Sequence, residues 1–583
     1  MDPAPITRHA TGVPPARHTS LRGRDLLHQP ALNKGTAFSA SERRALGLEG
    51  LLPDQVETLE QQVQRVWDWF SGLESPLERF VFVDGLRRSN LTLFHRFLEQ
   101  HVEAVLPIVY TPTVGAVIQA FSRRYRSPMD GLFLSASHRG RLKEVMAASL
   151  GGPVDLLLVT DSEGILGIGD QGIGGIHICH GKLAVYTLCA GLNPERVAAV
   201  ALDVGTNRPT LLNDPLYPGL RQPRLRGEAY QAFLDEFVEA VATLCPGACL
   251  QWEDFGTDTA RAVLDRYQNR LTSFNDDIQG TSGVASAAVL AACRGLGQPL
   301  ARQRIVIFGA GTAGCGIADR LVRLLMAEGL SEAAALARIW AIDRQGLVID
   351  GQQGLAPAAA RFARTAAEPA GWGSQGPVGL LEVVRQVQPT VLIGTSTVAG
   401  AFNQEVVEAM LAGCERPVIL PLSNPTALAE ATPVDLLAWS QGQALVATGS
   451  PFAPVAVAGG LRVIGQCNNC FLFPGLGFAA VAVGLTTIND ALIEAGLAAL
   501  AAVIPASTDP ALPLMPAIAD GQAVAGVVAE AVALEGVRLG LARLAGTPAE
   551  ARQRLEQARW RPVYGPMLAA ASGSRGRYKN GLA

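Results

Sequence analysis

Arg304-Ile305-Val306-Ile307-Phe308-Gly309-Ala310-Gly311-Thr312-Ala313-Gly314 runs from an apolar stretch into a G-x-G-x-x-G, and Ile317, Leu321, Leu324 and Leu325 follow at helical spacing. A strand, a glycine turn and a helix in that order form the context a dinucleotide site needs. Gly309, Gly311 and Gly314 permit a tight turn and close approach of a pyrophosphate, which rests on the helix N-terminus with Thr312 and Ala313. The competing reading is a structural turn. A second strand, Arg338-Ile339-Trp340-Ala341-Ile342, ends at Asp343, whose carboxylate suits a ribose hydroxyl. The spacing exceeds the usual roughly twenty residues, so an extended connection is expected between them. Arg344 keeps a 2′-phosphate, and so NADP, open beside NAD.

Working outward, Thr390-Val391-Leu392-Ile393-Gly394 and Pro417–Pro425 read as further strands of the same sheet. Upstream, Asp155–Asp161 and Val197–Leu202 are buried-type strands. Between them lie the glycine-rich Gly164–Gly175 and a helix taken to start at Gly181-Lys182-Leu183. Strands alternating with helices imply parallel sheets covered on both faces, with ligands at the carboxyl ends of the strands. The expected fold is α/β, with an N-terminal helical region, a parallel α/β substrate and metal domain, a Rossmann-type dinucleotide domain and a helical C-terminal segment. The expected boundaries are a disordered extension over 1–25, a helical domain over 26–130, a substrate and metal domain over 131–280 with 467–540, a dinucleotide domain over 281–466, and a C-terminal segment over 541–583.

In the helical region, Ser39 and Glu42 have capping-box spacing, and Val56, Leu59, Val63, Trp67 and Phe70 form one helical face. Pro107–Gly115 reads as a short strand ending in a turn. Tyr110 there is either a general acid facing a cleft or an amphipathic residue at a domain seam.

Two stretches place adjacent carboxylates between apolar residues: Gln251-Trp252-Glu253-Asp254-Phe255-Gly256 and Phe274-Asn275-Asp276-Asp277-Ile278-Gln279-Gly280-Thr281. Desolvating carboxylates is costly, and a divalent cation offsets that cost. Three or four such oxygens, with water and a substrate, would fill an octahedral shell for Mg2+ or Mn2+; two solvated turns are the alternative. Lys182, if desolvated, would lose its proton more readily and act as a base; otherwise it is a lysine with its head in water. Asn424 and the Gln466-Cys467-Asn468-Asn469 stretch offer amides to a carboxylate or carboxamide, or simply form turns.

The 583 residues carry a net charge of −4, with 49% hydrophobic and 17% charged residues. That balance gives no electrostatic reason to seek nucleic acid or an anionic membrane, and no uninterrupted apolar run reads as a membrane span. The nine cysteines are scattered, which favours free thiols in a reducing, cytoplasmic compartment over zinc or disulfides. His177 and His180, at i, i+3, are weak evidence for metal.

Taken together, Tyr110-Thr111-Pro112-Thr113-Val114-Gly115, Gly181–Leu183, Leu202–Asn207, Trp252–Phe255, Phe274–Thr281, Gly309–Gly314, Ser423-Asn424-Pro425-Thr426 and Gln466–Asn469 resemble the malic enzyme family in its long-chain form. The matches run in family order from Leu32 to about Tyr564. The resemblance implies oxidative decarboxylation of L-malate to pyruvate with NAD and Mn2+ or Mg2+, by a homotetramer or homodimer. It implies Glu253, Asp254 and Asp277 as metal ligands and Lys182 as base, with Asp276 beside it. Tyr110 is then the acid, Asn424 and Asn469 the substrate contacts, and Asn424 also borders the nicotinamide. One position departs from the pattern: Gly164 stands where the family carries an arginine that grips a substrate carboxylate. Glu163–Gly167 and Gly394–Thr397 resemble instead the related malolactic enzymes, which release lactate. Thr111 and Thr113 with Gly449–Phe452 lean back to the NAD-dependent malic enzymes. A nucleotide-binding regulator that has lost turnover is the remaining alternative, although Lys182, Tyr110 and the carboxylates are all present.

Overall fold

The computed structural model describes residues 15–126, 130–372, 376–458 and 460–570. They fall into two compact units: one holds the described residues up to Val109 together with those from Trp560, and the other is Tyr110–Arg559.

The smaller unit is mainly helical. Ser39 caps Ala40–Ala45 with a capping box to Glu42, and Leu59–Ser71 buries Leu59, Val63, Val66 and Phe70 on one face. Residues 1–14 of the expected disordered extension lie outside the described residues. The rest of it is ordered: Arg17–Thr19 pairs in parallel with Met567–Ala569, and Gly23–Leu27 is helical. Lys34, Glu42 and the chain near Gly565 tie this sequence-distant pair down, a tertiary constraint invisible in local composition.

The Pro107–Gly115 expectation also fails. Val102–Val109 is a helix with Pro107 inside it, and Thr113–Gln119 is another, with Tyr110–Pro112 as the turn between them. Val105, Leu106, Ile108 and Val109 are buried at helical spacing, so packing overrides the strand propensity of the β-branched residues. Val102–Gln119 has the length and apolar composition of a membrane span, but it is this broken pair of helices and half of it is buried.

The larger unit contains two parallel sheets. In the first, the order is Leu132–Ser135, Val197–Asp203, Leu156–Thr160, Cys249–Trp252, Ser273–Asn275. Apart from the edge strand Leu132–Ser135, which is buried at alternate positions, its strands are buried throughout or nearly so, as the continuous apolar runs require. Trp252 packs edge-on against Phe237 and Phe255, and each such fully buried side chain contributes roughly 1.5–3 kcal/mol. The order turns back at Leu156–Thr160, since the next strand lies on one side of it and the one after on the other. The crevice is therefore at the carboxyl ends of Leu156–Thr160 and Cys249–Trp252.

The second sheet has the order Gly465–Gln466, Leu445–Thr448, Val418–Pro421, Val391–Gly394, Ile305–Phe308, Ile339–Asp343, Gly346–Leu347, parallel except for the last strand. Its crevice lies between Ile305–Phe308 and Val391–Gly394 by the same argument. The buried, alanine-rich helix Thr281–Gly295 leads from the first sheet into the second. Helices Phe473–Val483, Asp490–Val503 and Gly521–Arg538 complete the packing.

Candidate active site

Glu253 and Asp254 follow the strand Cys249–Trp252 directly, and Asp276 and Asp277 follow Ser273–Asn275. Parallel pairing of these two strands brings together residues over twenty positions apart. Carboxylate oxygens of Glu253, Asp254 and Asp277 lie within 4.8 Å of one another, a grouping suited to one metal ion. Asp254 donates its backbone N–H to Asp277 Oδ2 at 2.7 Å. Its own Oδ2 is buried with no hydrogen-bond partner among the described residues. Its φ is +53°, a left-handed conformation that a non-glycine residue holds at a cost of about 1–2 kcal/mol. A buried carboxylate oxygen on strained backbone, beside two further carboxylates, offers donors that suit a hard divalent cation.

Lys182 comes from the neighbouring helix, which begins at Ile176 rather than at Gly181. Its Nζ lies 2.5 Å from Glu253 Oε1, also contacts Asp276 Oδ2, and sits 5.1 Å over the ring of Phe473. Asn469 Nδ2 donates to Asp276 Oδ2 and to Thr281 Oγ1, each at 3.0 Å. Gly280 makes this arrangement possible, because a Cβ there would lie 1.8 Å from Asp276 Oδ1.

Four carboxylates thus gather in a largely buried pocket, and two of them, Glu253 and Asp276, face the ammonium. Burial pulls the Lys182 amine down, but Asp276 and Glu253 outweigh it and hold it well above its ordinary value. That corrects the expectation that desolvation alone would free the amine: with no cation bound, Lys182 is an ammonium. Burial pushes Glu253 and Asp254 well up, and Asp277, half-buried, up to about 6. The Tyr110 phenol is buried and pushed up by that burial; Lys182 opposes the shift, and Glu253 and Asp276 add to it. Tyr110 therefore shares this electrostatic environment and keeps its proton.

Gly164 N–H donates to Asp254 O at 2.9 Å, and a Cβ at 164 would lie 2.6 Å from Phe255 O. The backbone itself fills the space a side chain would need. Arg224, unforeseen from the sequence, is fully buried beneath this loop and bridges Asp161, Glu163 and Asp170.

In the second sheet, Gly309 and Gly314 lie against the chain after Val391–Gly394. Thr395 Oγ1 donates to Gly309 O at 2.7 Å, and a Cβ at Gly309 would lie 2.6 Å from Ser396 N. Thr312 and Ala313 open the helix Thr312–Ala327, with Gly311 at its N-cap. Asp343 is exposed at the end of its strand. Asn424 hydrogen-bonds Ser450, and its backbone O lies 4.0 Å from where a Gly167 Cβ would stand, so the second sheet's loops meet the glycine loop of the first. Buried Glu430, also unforeseen, accepts from Ser396 N–H at 2.8 Å and from the Ser423 hydroxyl, joining the two loops at this crevice. The nine cysteines are free, and His180 Nε2 lies 2.9 Å from Asp130 O rather than in a metal cluster.

Two family models match the chain: "Malic enzyme, N-terminal domain" over residues 87–268 and "Malic enzyme, NAD binding domain" over residues 278–537. NAD-dependent malic enzyme 3 of Bacillus subtilis (strain 168) is 46% identical over 556 residues, covering 94% of this chain and 98% of its own. The NAD-dependent malic enzyme of Shewanella sp. (strain MR-4) is 42% identical over 543 residues, covering 93% and 96%. Among solved structures, Entamoeba histolytica malic enzyme has a TM-score of 0.54 at 20% identity, covering 90% of this chain and 93% of its own, and shares the fold. Geometry and relatedness converge, and the chain belongs to the malic enzyme family.

Proposed function

We propose that this chain oxidatively decarboxylates L-malate to pyruvate and CO2, reducing NAD, with a divalent cation at Glu253, Asp254 and Asp277. The observation that carries this reading is the convergence of those three carboxylates beside Lys182 and Tyr110. When bound, Mn2+ or Mg2+ would neutralise Glu253, one of the two carboxylates that keep Lys182 charged, and supply Lewis acidity at the C2 oxygen, while NAD would accept the C2 hydride. Relieved of one of its two anions, Lys182 gives up its own proton to solvent; as the neutral amine it then takes the proton of the C2 hydroxyl, and Asp276 holds the resulting ammonium in place. The oxidised product is a β-keto acid, whose loss of CO2 leaves an enolate. Tyr110, which keeps its proton, donates to the enolate carbon, and base and acid each contribute typically 10²–10⁴-fold. Asn469, hydrogen-bonded to Asp276, and Asn424, beside the glycine loop, contact the substrate. Gly309, Gly311, Thr312, Ala313 and Gly314 receive the pyrophosphate and Asp343 the ribose.

Gly164 supports a second reading, release of lactate, because no side chain there reaches a substrate carboxylate. Purified protein incubated with L-malate, NAD+ and Mn2+ separates the two. NADH and pyruvate in equal amounts support the proposal, lactate without NADH favours the second reading, and neither product refutes both. A cytoplasmic location, supported by nine free thiols, and assembly as a homotetramer or homodimer complete the proposal. Sedimentation measures the assembly.

A further inference from the structure

Behind Glu253 lies a buried polar chain that the mechanism does not use. Gln251 precedes Glu253 by two residues and shares its face of the strand, while Trp252 between them points into the core. Gln251 Nε2 donates to Glu253 Oε2 at 2.9 Å, and Tyr186 OH donates to Gln251 Oε1 at 2.5 Å. Both residues are fully buried. An ionised carboxylate only accepts, so the amide nitrogen must face Glu253 and its carbonyl is left for the tyrosine hydroxyl. Tyr186 is fixed in turn. Its ring stands edge-on to Phe473 at 4.9 Å, and a Cβ at Gly477 would lie 2.5 Å from its hydroxyl. The same Phe473 ring lies under Lys182 Nζ.

We propose that Gln251 and Tyr186 are positioning residues for Glu253. They hold one carboxylate oxygen so that the other, the one now facing Lys182, is presented to a divalent cation. This rests on the reading of Glu253, Asp254 and Asp277 as the metal site. With Oε2 anchored, Glu253 keeps its orientation when Oε1 passes from the ammonium to the cation. With Gln251 removed, Lys182 is its sole side-chain anchor among the described residues, and an incoming cation competes for that same oxygen. Partners of this kind typically govern 10–100-fold in metal affinity.

The test titrates Mn2+ alone into the metal-free full chain, reading free Mn2+ by electron paramagnetic resonance and NADH binding by fluorescence. Gln251→Leu is expected to weaken Mn2+ by roughly 10–100-fold, and Tyr186→Phe by a smaller factor, with NADH affinity unchanged in both. Unchanged Mn2+ affinity in Gln251→Leu, or parallel loss of Mn2+ and NADH binding, overturns the proposal. If Gln251→Leu does not fold, Tyr186→Phe, which loses a single oxygen, decides by the same criteria. Glu253→Gln separates the two levels: if it keeps full Mn2+ affinity, the metal-site reading falls and the positioning role with it. If it loses affinity while Gln251→Leu does not, the positioning role alone falls.

Discussion

Lys182 Nζ is shared between Glu253, on one side at 2.5 Å, and Asp276 on the other. The ammonium is thus bonded to one of the carboxylates proposed to hold the divalent cation.

Lys182→Met removes the counter-charge from two buried carboxylates. Breaking a buried pair in this way costs roughly 3–5 kcal/mol, so the metal-free variant melts well below the metal-free wild type. Mn2+ restores part of the difference, because it neutralises Glu253, one of those two carboxylates. Activity stays low throughout, down by about 10²–10⁴-fold, since the base is gone. Thermal melts with and without Mn2+, together with initial rates, check both halves; full activity in a folded variant refutes the assigned role.

The pH dependence of metal binding follows from Asp277. Burial raises its carboxyl from an ordinary value of 3.8 to about 6. Below about pH 4 folded and unfolded chains both carry the proton. Between about 4 and 6 only the folded chain keeps it. A raised carboxyl therefore stabilises nothing as pH climbs: metal-free stability falls from this source through that window and levels off above it. Glu253 and Asp254, pushed up by burial, act with the same sign. A cation must displace the Asp277 proton, so Mn2+ affinity rises through about pH 6 with proton release on binding. Calorimetric titration in buffers of different ionisation heat measures it, and a flat affinity contradicts it.

Gly164→Arg, the substitution that would restore the family pattern, does not improve malate binding in this chain. Its Cβ meets Phe255 O at 2.6 Å, and the adjacent Asp254 is one of the three proposed metal ligands. Overpacking of this kind costs about 1–3 kcal/mol. The expected outcome is weaker Mn2+ binding and a lower melting temperature, with KM for malate no lower than wild type. A tighter KM with unchanged Mn2+ affinity would show that the loop accepts the side chain.

Tyr110→Phe leaves the buried ring and removes its proton. Mn2+ and NADH affinities stay at wild-type values, while turnover falls by about 10²–10⁴-fold and solvent deuterium enters the pyruvate methyl group more slowly. Isotope analysis of the product by NMR measures it; unchanged incorporation assigns the acid elsewhere.

Much of this site was legible in the sequence because its signals are local. Glycines at 309, 311 and 314 follow an apolar strand, and paired carboxylates interrupt apolar runs at 253–254 and 276–277. Gln251 was legible in principle, two positions from Glu253 on the same strand face. Arg224 and Glu430 were not, since what matters in each is the set of partners a distant loop brings to it. Pro107–Gly115 misled because β-branched residues favour strands until packing decides otherwise. The strand Arg17–Thr19 was hidden because its partner lies some 550 residues away. The direction of the Lys182 shift required knowing that two carboxylates, not one, face the amine.

The most direct test of the central claim is anomalous diffraction from a crystal of this chain grown with Mn2+. One strong peak is expected within about 2.0–2.6 Å of oxygens from Glu253, Asp254 and Asp277, with the Lys182 amine alongside and still bonded to Asp276. A peak elsewhere, or none at these three carboxylates at saturating Mn2+, would contradict it.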